Sequence, residues 1–214
     1  KIDLIERVFQ DYFGLLIPLL TALFFVVYVK RNRSSIIQSV LLGHFSKVHF
    51  KSVGQSINEK EMTILFWSAI FLQGIYIHSF FIDNSTNIYF YYVFVALAIA
   101  IKHLVIKTSS KIFQKQRLFQ EYYTSFLIAL INIGWASSIF SAINILYYNY
   151  ISSLSFELLN YGFLTLVLLY LLYRILYLFF EALKEKVSYL HIIFYICTLE
   201  ILPIVIISYY FLNN

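Results

Sequence analysis

Residues 63–81 read TILFWSAIFLQGIYIHSFF, nineteen positions without one lysine, arginine, aspartate, glutamate or proline. As a helix rising about 1.5 Å per residue, the stretch reaches about 28 Å, close to a hydrocarbon core of about 30 Å. Its apolar residues run on continuously instead of alternating, which argues against the strand of a membrane barrel. The stretch predicts a helix that crosses a membrane.

Five further runs of this kind lie at about 13–29, 88–106, 123–146, 158–180 and 187–211, so six spans are expected. Of the 214 residues, 61% are hydrophobic and only 13% charged, whereas a soluble domain carries about a quarter. That leaves too little polar surface to coat a globule in water. The expected fold is an all-α membrane protein, a six-helix transmembrane bundle forming a single domain over 1–214. The first run is followed by Lys30, Arg31 and Arg33 and lacks a small-residue cleavage site, so it reads as a retained helix. The single cysteine, Cys197, excludes an intramolecular disulfide. No internal repeat is evident, which weakens an inverted-repeat transporter reading.

Orientation follows from the basic residues. Lys30, Arg31, Arg33, Lys47, Lys51 and Lys60 lie between the first two spans, and Lys102, Lys107, Lys111, Lys115 and Arg117 cluster around the end of the third. Arg174, Lys184 and Lys186 attend the turn between the last two. Fourteen of the 16 Lys and Arg thus fall on one side, leaving Lys1 and Arg7 for the other. The positive-inside rule then makes that side cytoplasmic and both termini periplasmic.

The linkers are patterned too. In SSIIQSVLLGHFSKVHF (34–50), Ile37, Val40, Leu41, Phe45 and Val48 recur at three- and four-residue steps with Gln38, His44 and Lys47 between them. This predicts an amphipathic helix lying in the cytoplasmic interface against membrane lipids. SSKIFQKQRLFQEYY (109–123) predicts a second, and the opening KIDLIERVFQDYF an equivalent on the outer side.

Polar residues inside the spans are the candidate site. Glu200, in YICTLEILP (195–203), is expected about 20 Å from the cytoplasmic end of its span. An ionised acid near a helix centre costs about 2.5–3.5 kcal/mol, so Glu200 should face the bundle and hold a partner. His78 and Asn132 come near its depth, Gln73 lies somewhat lower, and Arg174 stands closer to the cytoplasm. Pro203 frees the carbonyl of Leu199 beside it. Two readings stay open: a proton or cation site, or a hydrogen-bonded staple between helices like Asn132, Gln73 and Asn144. A single carboxylate without a ladder of acids favours the staple. Gly134, Ser138 and Ala142 in GWASSIFSA form a small-residue stripe for close helix packing. His44, His49, His103 and His191 are read as polar tips anchored at the interface, not as haem or metal ligands. No nucleophile elbow, paired acids, phosphate loop or cysteine cluster is present, so no cofactor and no enzymatic activity are expected. The short, apolar-studded basic loops suit lipid and not nucleic acid.

The plan as a whole resembles a family of small, multi-pass bacterial inner-membrane proteins known only as a domain of unknown function. The resemblance lies in the first span, the basic KRNRSSIIQSVLLGHFSKVHF linker, the Lys-rich third turn and a last span carrying Tyr195, Cys197, Glu200 and Pro203. It implies an inner-membrane envelope protein of a Gram-negative bacterium and supplies no catalytic residues. The expected function is that of a non-enzymatic membrane subunit binding other integral membrane proteins, in an envelope or protein-export assembly. The alternative is a proton, ion or small-solute transporter using Glu200, His78 and Arg174; a lipid-modifying enzyme ranks lower.

Overall fold

The computed structural model describes residues 2–80, 88–112, 116–147 and 153–184. They form α1 (Ile2–Asn32), α2 (Ser34–Leu42), α3 (Lys47–Ser56), α4 (Lys60–Phe80), α5 (Ile88–Ile112), α6 (Gln116–Tyr147) and α7 (Ser153–Lys184). The described chain is all-α, and α1, α4, α6 and α7 each contain a stretch long and apolar enough to cross a membrane. These overlap four of the six expected spans, as befits a multi-pass membrane protein. The third expected span is helical as α5, and the sixth, 187–211, lies outside the described residues.

The centre of the bundle is the pair α4 and α6, with α1 and α5 packed on α4. Lipid tails solvate leucine as well as another helix does, so close association relies on small residues that let main chains touch. Gly134 of α6 does this: a Cβ there would stand 2.8 Å from both Cα and Cβ of Ala69 on α4. Ser138, buried on the same stripe, turns its hydroxyl back to its own helix at Trp135 O (2.6 Å), and Ala142 packs partly buried beside Ile145. On α1, Leu15, Leu19, Ala22 and Val29 are buried at three- and four-residue steps, with one more turn between the last two. Ile17, Phe24 and Val27 point away from the bundle.

The linkers depart from expectation in three places. The opening stretch is no separate surface helix, because α1 is continuous from Ile2 to Asn32. The stretch 109–123 ends α5 and begins α6, with Phe119 of α6 buried. The helix expected over 34–50 is two helices, α2 and α3, joined by a turn at Gly43–Ser46. Its faces also differ from the sequence reading: Val40 and His44 are buried, whereas Leu41, Phe45 and Val48 are exposed. The cause is the approach to α6. A Cβ on Gly43 would meet Ile128 Cδ1 at 2.6 Å and the carbonyl oxygen of Ser39 at 2.9 Å, so a larger residue there would force the turn or its neighbours to shift.

Ion pairs and ring contacts gather the basic helix ends at one end of the bundle. Arg33 pairs with Glu59, joining the end of α1 to the start of α4. Lys47 meets Glu181 of α7 at 3.2 Å, and Lys102 of α5 lies over the Phe126 ring of α6 at 4.8 Å.

Candidate functional site

Along α7, Asn160, Phe163, Val167, Tyr170, Arg174, Tyr177 and Glu181 recur at three- and four-residue steps, which places them on one stripe of the helix. This stripe faces the bundle: Asn160 and Phe163 are buried, and Arg174 is 1% exposed. Leu158, Leu166, Leu169 and Leu176 face outward. A guanidinium stays charged at any attainable pH, so its burial needs polar surroundings.

Those surroundings come from the α2–α3 turn and from α6. His44 Nδ1 lies 2.7 Å from the Tyr170 hydroxyl and His44 Nε2 lies 2.9 Å from Ser125 Oγ. Arg174 Nε donates to the same Ser125 Oγ at 3.1 Å. Asn132 Nδ2 donates to the Tyr170 hydroxyl and to the carbonyl of Val40, both at 3.2 Å. Tyr173 donates to the carbonyl of His44 at 3.3 Å, and the Arg174 guanidinium sits 5.1 Å from the Tyr122 ring centre, within cation–π range. The result is a hydrogen-bonded chain, Asn132–Tyr170–His44–Ser125–Arg174, tying the linker and α7 to α6.

Either neutral tautomer of His44 satisfies this chain. In one, Tyr170 donates to Nδ1 and Nε2–H donates to Ser125 Oγ; in the other, Nδ1–H donates to Tyr170 and the Ser125 hydroxyl donates to Nε2. Arg174 Nε–H donates to Ser125 Oγ in both. Burial, seconded by the charge of Arg174, pushes the His44 pKa down to about 4, from an ordinary 6.5. The cluster thus holds one permanent cation and a histidine kept neutral beside it.

A second polar group lies nearer the start of α7. Asn160 and Asn144 of α6 exchange amide hydrogen bonds at 3.0 and 3.3 Å. Asn144 also donates to Ser79 Oγ of α4 at 3.3 Å, and all three residues are buried. Separately, Gln73 of α4 donates to the carbonyl of Leu130 at 2.9 Å.

Of the residues proposed from sequence, Asn132 and Arg174 are therefore joined through one network. Gln73 bonds elsewhere on α6, and His78 lies half-buried in the last turn of α4. Glu200 lies outside the described residues. The reading of His44 as an interface tip is corrected: it is 3% exposed and bonded through both ring nitrogens. Ser125, Tyr170 and Asn160 were not singled out from sequence, although the stripe on α7 carries the signal for two of them. Among the described residues, no group of three or more His, Cys, Asp or Glu is arranged to hold a metal ion.

The family described as DUF4271, a domain of unknown function, matches residues 8–211. No curated protein and no solved structure matches the chain.

Proposed function

The chain belongs to the DUF4271 family, and from that premise we propose that it is a non-enzymatic inner-membrane subunit that binds other integral membrane proteins. In this reading it is a six-span bundle in a bacterial inner membrane, with its basic helix ends cytoplasmic and both termini periplasmic. An envelope or protein-export assembly is the setting proposed for it. The observation that carries the reading is how the interior polar side chains are used. Asn144 and Asn160 bond each other, Gln73 bonds α6 main chain, and Asn132, Tyr170, His44, Ser125 and Arg174 bond in series across three elements. Groups spent on interhelical bonds make a rigid scaffold, which suits presenting lipid-depth surface to a partner.

Purification in mild detergent with identification of stoichiometric co-migrating proteins tests the proposal. A defined membrane partner is expected, and a monomer without partners across several detergents overturns it. The runner-up, proton transport, draws on the same series of bonds, since a chain of hydroxyl and imidazole groups can relay a proton. It predicts a pH flux from the purified protein in liposomes that disappears in His44→Gln.

A further inference from the structure

Two helices of the bundle supply a depth scale. Gly134 packs on Ala69, and ten positions further along both helices Asn144 bonds Ser79, so α4 and α6 run parallel in constant register. Lys60 then lies level with Ser125, and Trp67 with Asn132. The apolar stretch Lys60–Ser79 holds 20 residues, which is about 29 Å and so about one hydrocarbon core. Its ends mark the two boundaries.

On this scale the linker between α1 and α4 does not stay at the boundary. It leaves α1 at Arg33, which pairs with Glu59 beside Lys60. The carbonyl of Val40 accepts from Asn132 Nδ2 at 3.2 Å, about 10 Å inside the core at seven residues from the level of Lys60. Gly43 packs on Ile128, about one turn shallower. A Cβ on Gly54 would stand 3.5 Å from Thr124 Oγ1, back at the boundary. Helix α7 gives a second count. Phe45 stacks on Tyr173 at 6.1 Å, and Tyr173 is thirteen residues from Asn160, which bonds Asn144 at the far boundary. That again leaves about 10 Å to the near one.

Irregular main chain at that depth needs its polar groups bonded within the protein, and the turn meets this need. The amides of Phe45 and Ser46 donate to the carbonyl of Leu42 at 2.9 and 3.0 Å. The carbonyls of Val40 and His44 accept from Asn132 and Tyr173 of the neighbouring helices. Ser39 Oγ and Ser52 Oγ, 3.2 Å apart, join the two arms. Lys47 reaches back to Glu181 at 3.2 Å, about a core thickness from Asn160 and so at the boundary. Ile36, Val40 and Val53 are buried, whereas Leu41, Leu42, Phe45 and Val48 point away from the bundle. We propose that α2 and α3 form a re-entrant hairpin, entering and leaving the membrane on the side of the basic helix ends, whose outer face of Leu41, Leu42, Phe45 and Val48 binds the acyl chains of that leaflet. Depth and continuity select acyl chains as the occupant. The face carries no charge, and through Phe45 on Tyr173 it runs on into the outward leucines of α7. The inference rests on the bundle crossing a membrane and not on the assembly it joins.

Depth measurement by electron paramagnetic resonance tests the proposal on the full chain in phosphatidylethanolamine–phosphatidylglycerol liposomes. Nitroxide labels are placed singly at Ser35, Leu41, Phe45 and Gln55 in a Cys197→Ser background, all four positions being exposed. Labels at Leu41 and Phe45 should lie about 5–10 Å deeper than those at Ser35 and Gln55, and should be relaxed by oxygen and not by a water-soluble nickel complex. A flat depth profile, as a helix lying in the interface would give, overturns the hairpin. Deep labels that oxygen does not reach are covered by protein, and overturn the acyl contact. A label on outward-facing Leu169 of α7 separates the premises. If it reads deep while the linker reads flat, the hairpin alone fails; if it reads at the surface, the membrane-spanning reading fails with it. The unmodified chain gives a second measurement, independent of the cysteine background. A phospholipid with a diazirine midway along one acyl chain should crosslink within 41–48, and no adduct there overturns the proposal.

Discussion

Acidification should loosen the bundle through His44 in particular. The imidazole is buried neutral, with its pKa lowered to about 4 by burial and by Arg174, against about 6.5 in an unfolded chain. Between these values the unfolded chain binds more protons than the folded one, so stability rises with pH there and is lost as pH falls. Taken to its limit below both values, the loss is about 3 kcal/mol; from about pH 7.5 to about pH 5 it is about 2 kcal/mol. For a chain of this size that corresponds to a fall in melting temperature of about 4–8 °C. The assay is thermal unfolding in detergent, followed by the fluorescence of Trp67 and Trp135 at both pH values. Other acids and histidines titrate too, so the decisive quantity is the difference between the wild type and His44→Gln. The glutamine keeps a polar group near Ser125 but cannot take up the proton, so that variant should start less stable and lose less on acidification. If the two proteins lost the same number of degrees, the buried neutral His44 described here would be refuted.

Other substitutions probe other contacts. Gly134→Val puts side-chain atoms where Ala69 of α4 already stands 2.8 Å from a Cβ, and should cost about 1–3 kcal/mol in denaturant titrations. Adding Ala69→Gly should recover part of that loss, and no recovery would count against an α4–α6 contact at this point. Asn144→Leu and Asn160→Leu should each destabilise the protein, and the double variant should lose less than their sum. The expected coupling is about 0.6–1.7 kcal/mol, and strict additivity would deny the amide pair. For topology, a reporter fused at Gln55 should behave as cytoplasmic and one fused after Asn214 as exported; the reverse at either place would invert the proposed orientation.

How far this was legible in the sequence depended on whether the signal was local. A run such as 63–81 states its own fate, because a backbone in hydrocarbon must bond within its own helix and the apolar length fixes the crossing. The four membrane-length helices were therefore visible at once, and Gly134 was visible as a contact because glycine and serine at four-residue spacing have few other uses in such a helix. The turn at Gly43–Ser46 was hidden for the opposite reason. Its residues continue the apolar spacing of a single surface helix, and the side chain that Gly43 packs against, Ile128 of α6, lies eighty-five positions later. The same distance hid His44, whose partners Ser125 and Tyr170 lie on two other helices. Periodicity could show that Asn160, Tyr170 and Arg174 share a face of α7, but not which side chains they would meet.

The stripe on α7 also explains why so apolar a helix needs polar residues at all. Leucine on leucine gains little over leucine on lipid, so the outer residues of α7 cannot set its rotation or its height. Asn160 and Arg174 can. They lie fourteen residues apart, about 21 Å along the axis and within a few tens of degrees of the same face. Asn160 is fixed to Asn144 and Arg174 to Ser125. Turning α7 by one residue would carry Arg174 toward lipid, at about 2.5–3.5 kcal/mol near a membrane centre and less near its edge, where the side chain can reach headgroups. Sliding it by a turn would break both sets of bonds together. Two pins thus hold a helix whose remaining surface is interchangeable, and exchanging Leu166 or Leu169 for isoleucine should leave stability within about 0.5 kcal/mol of the wild type, as expected of surface positions.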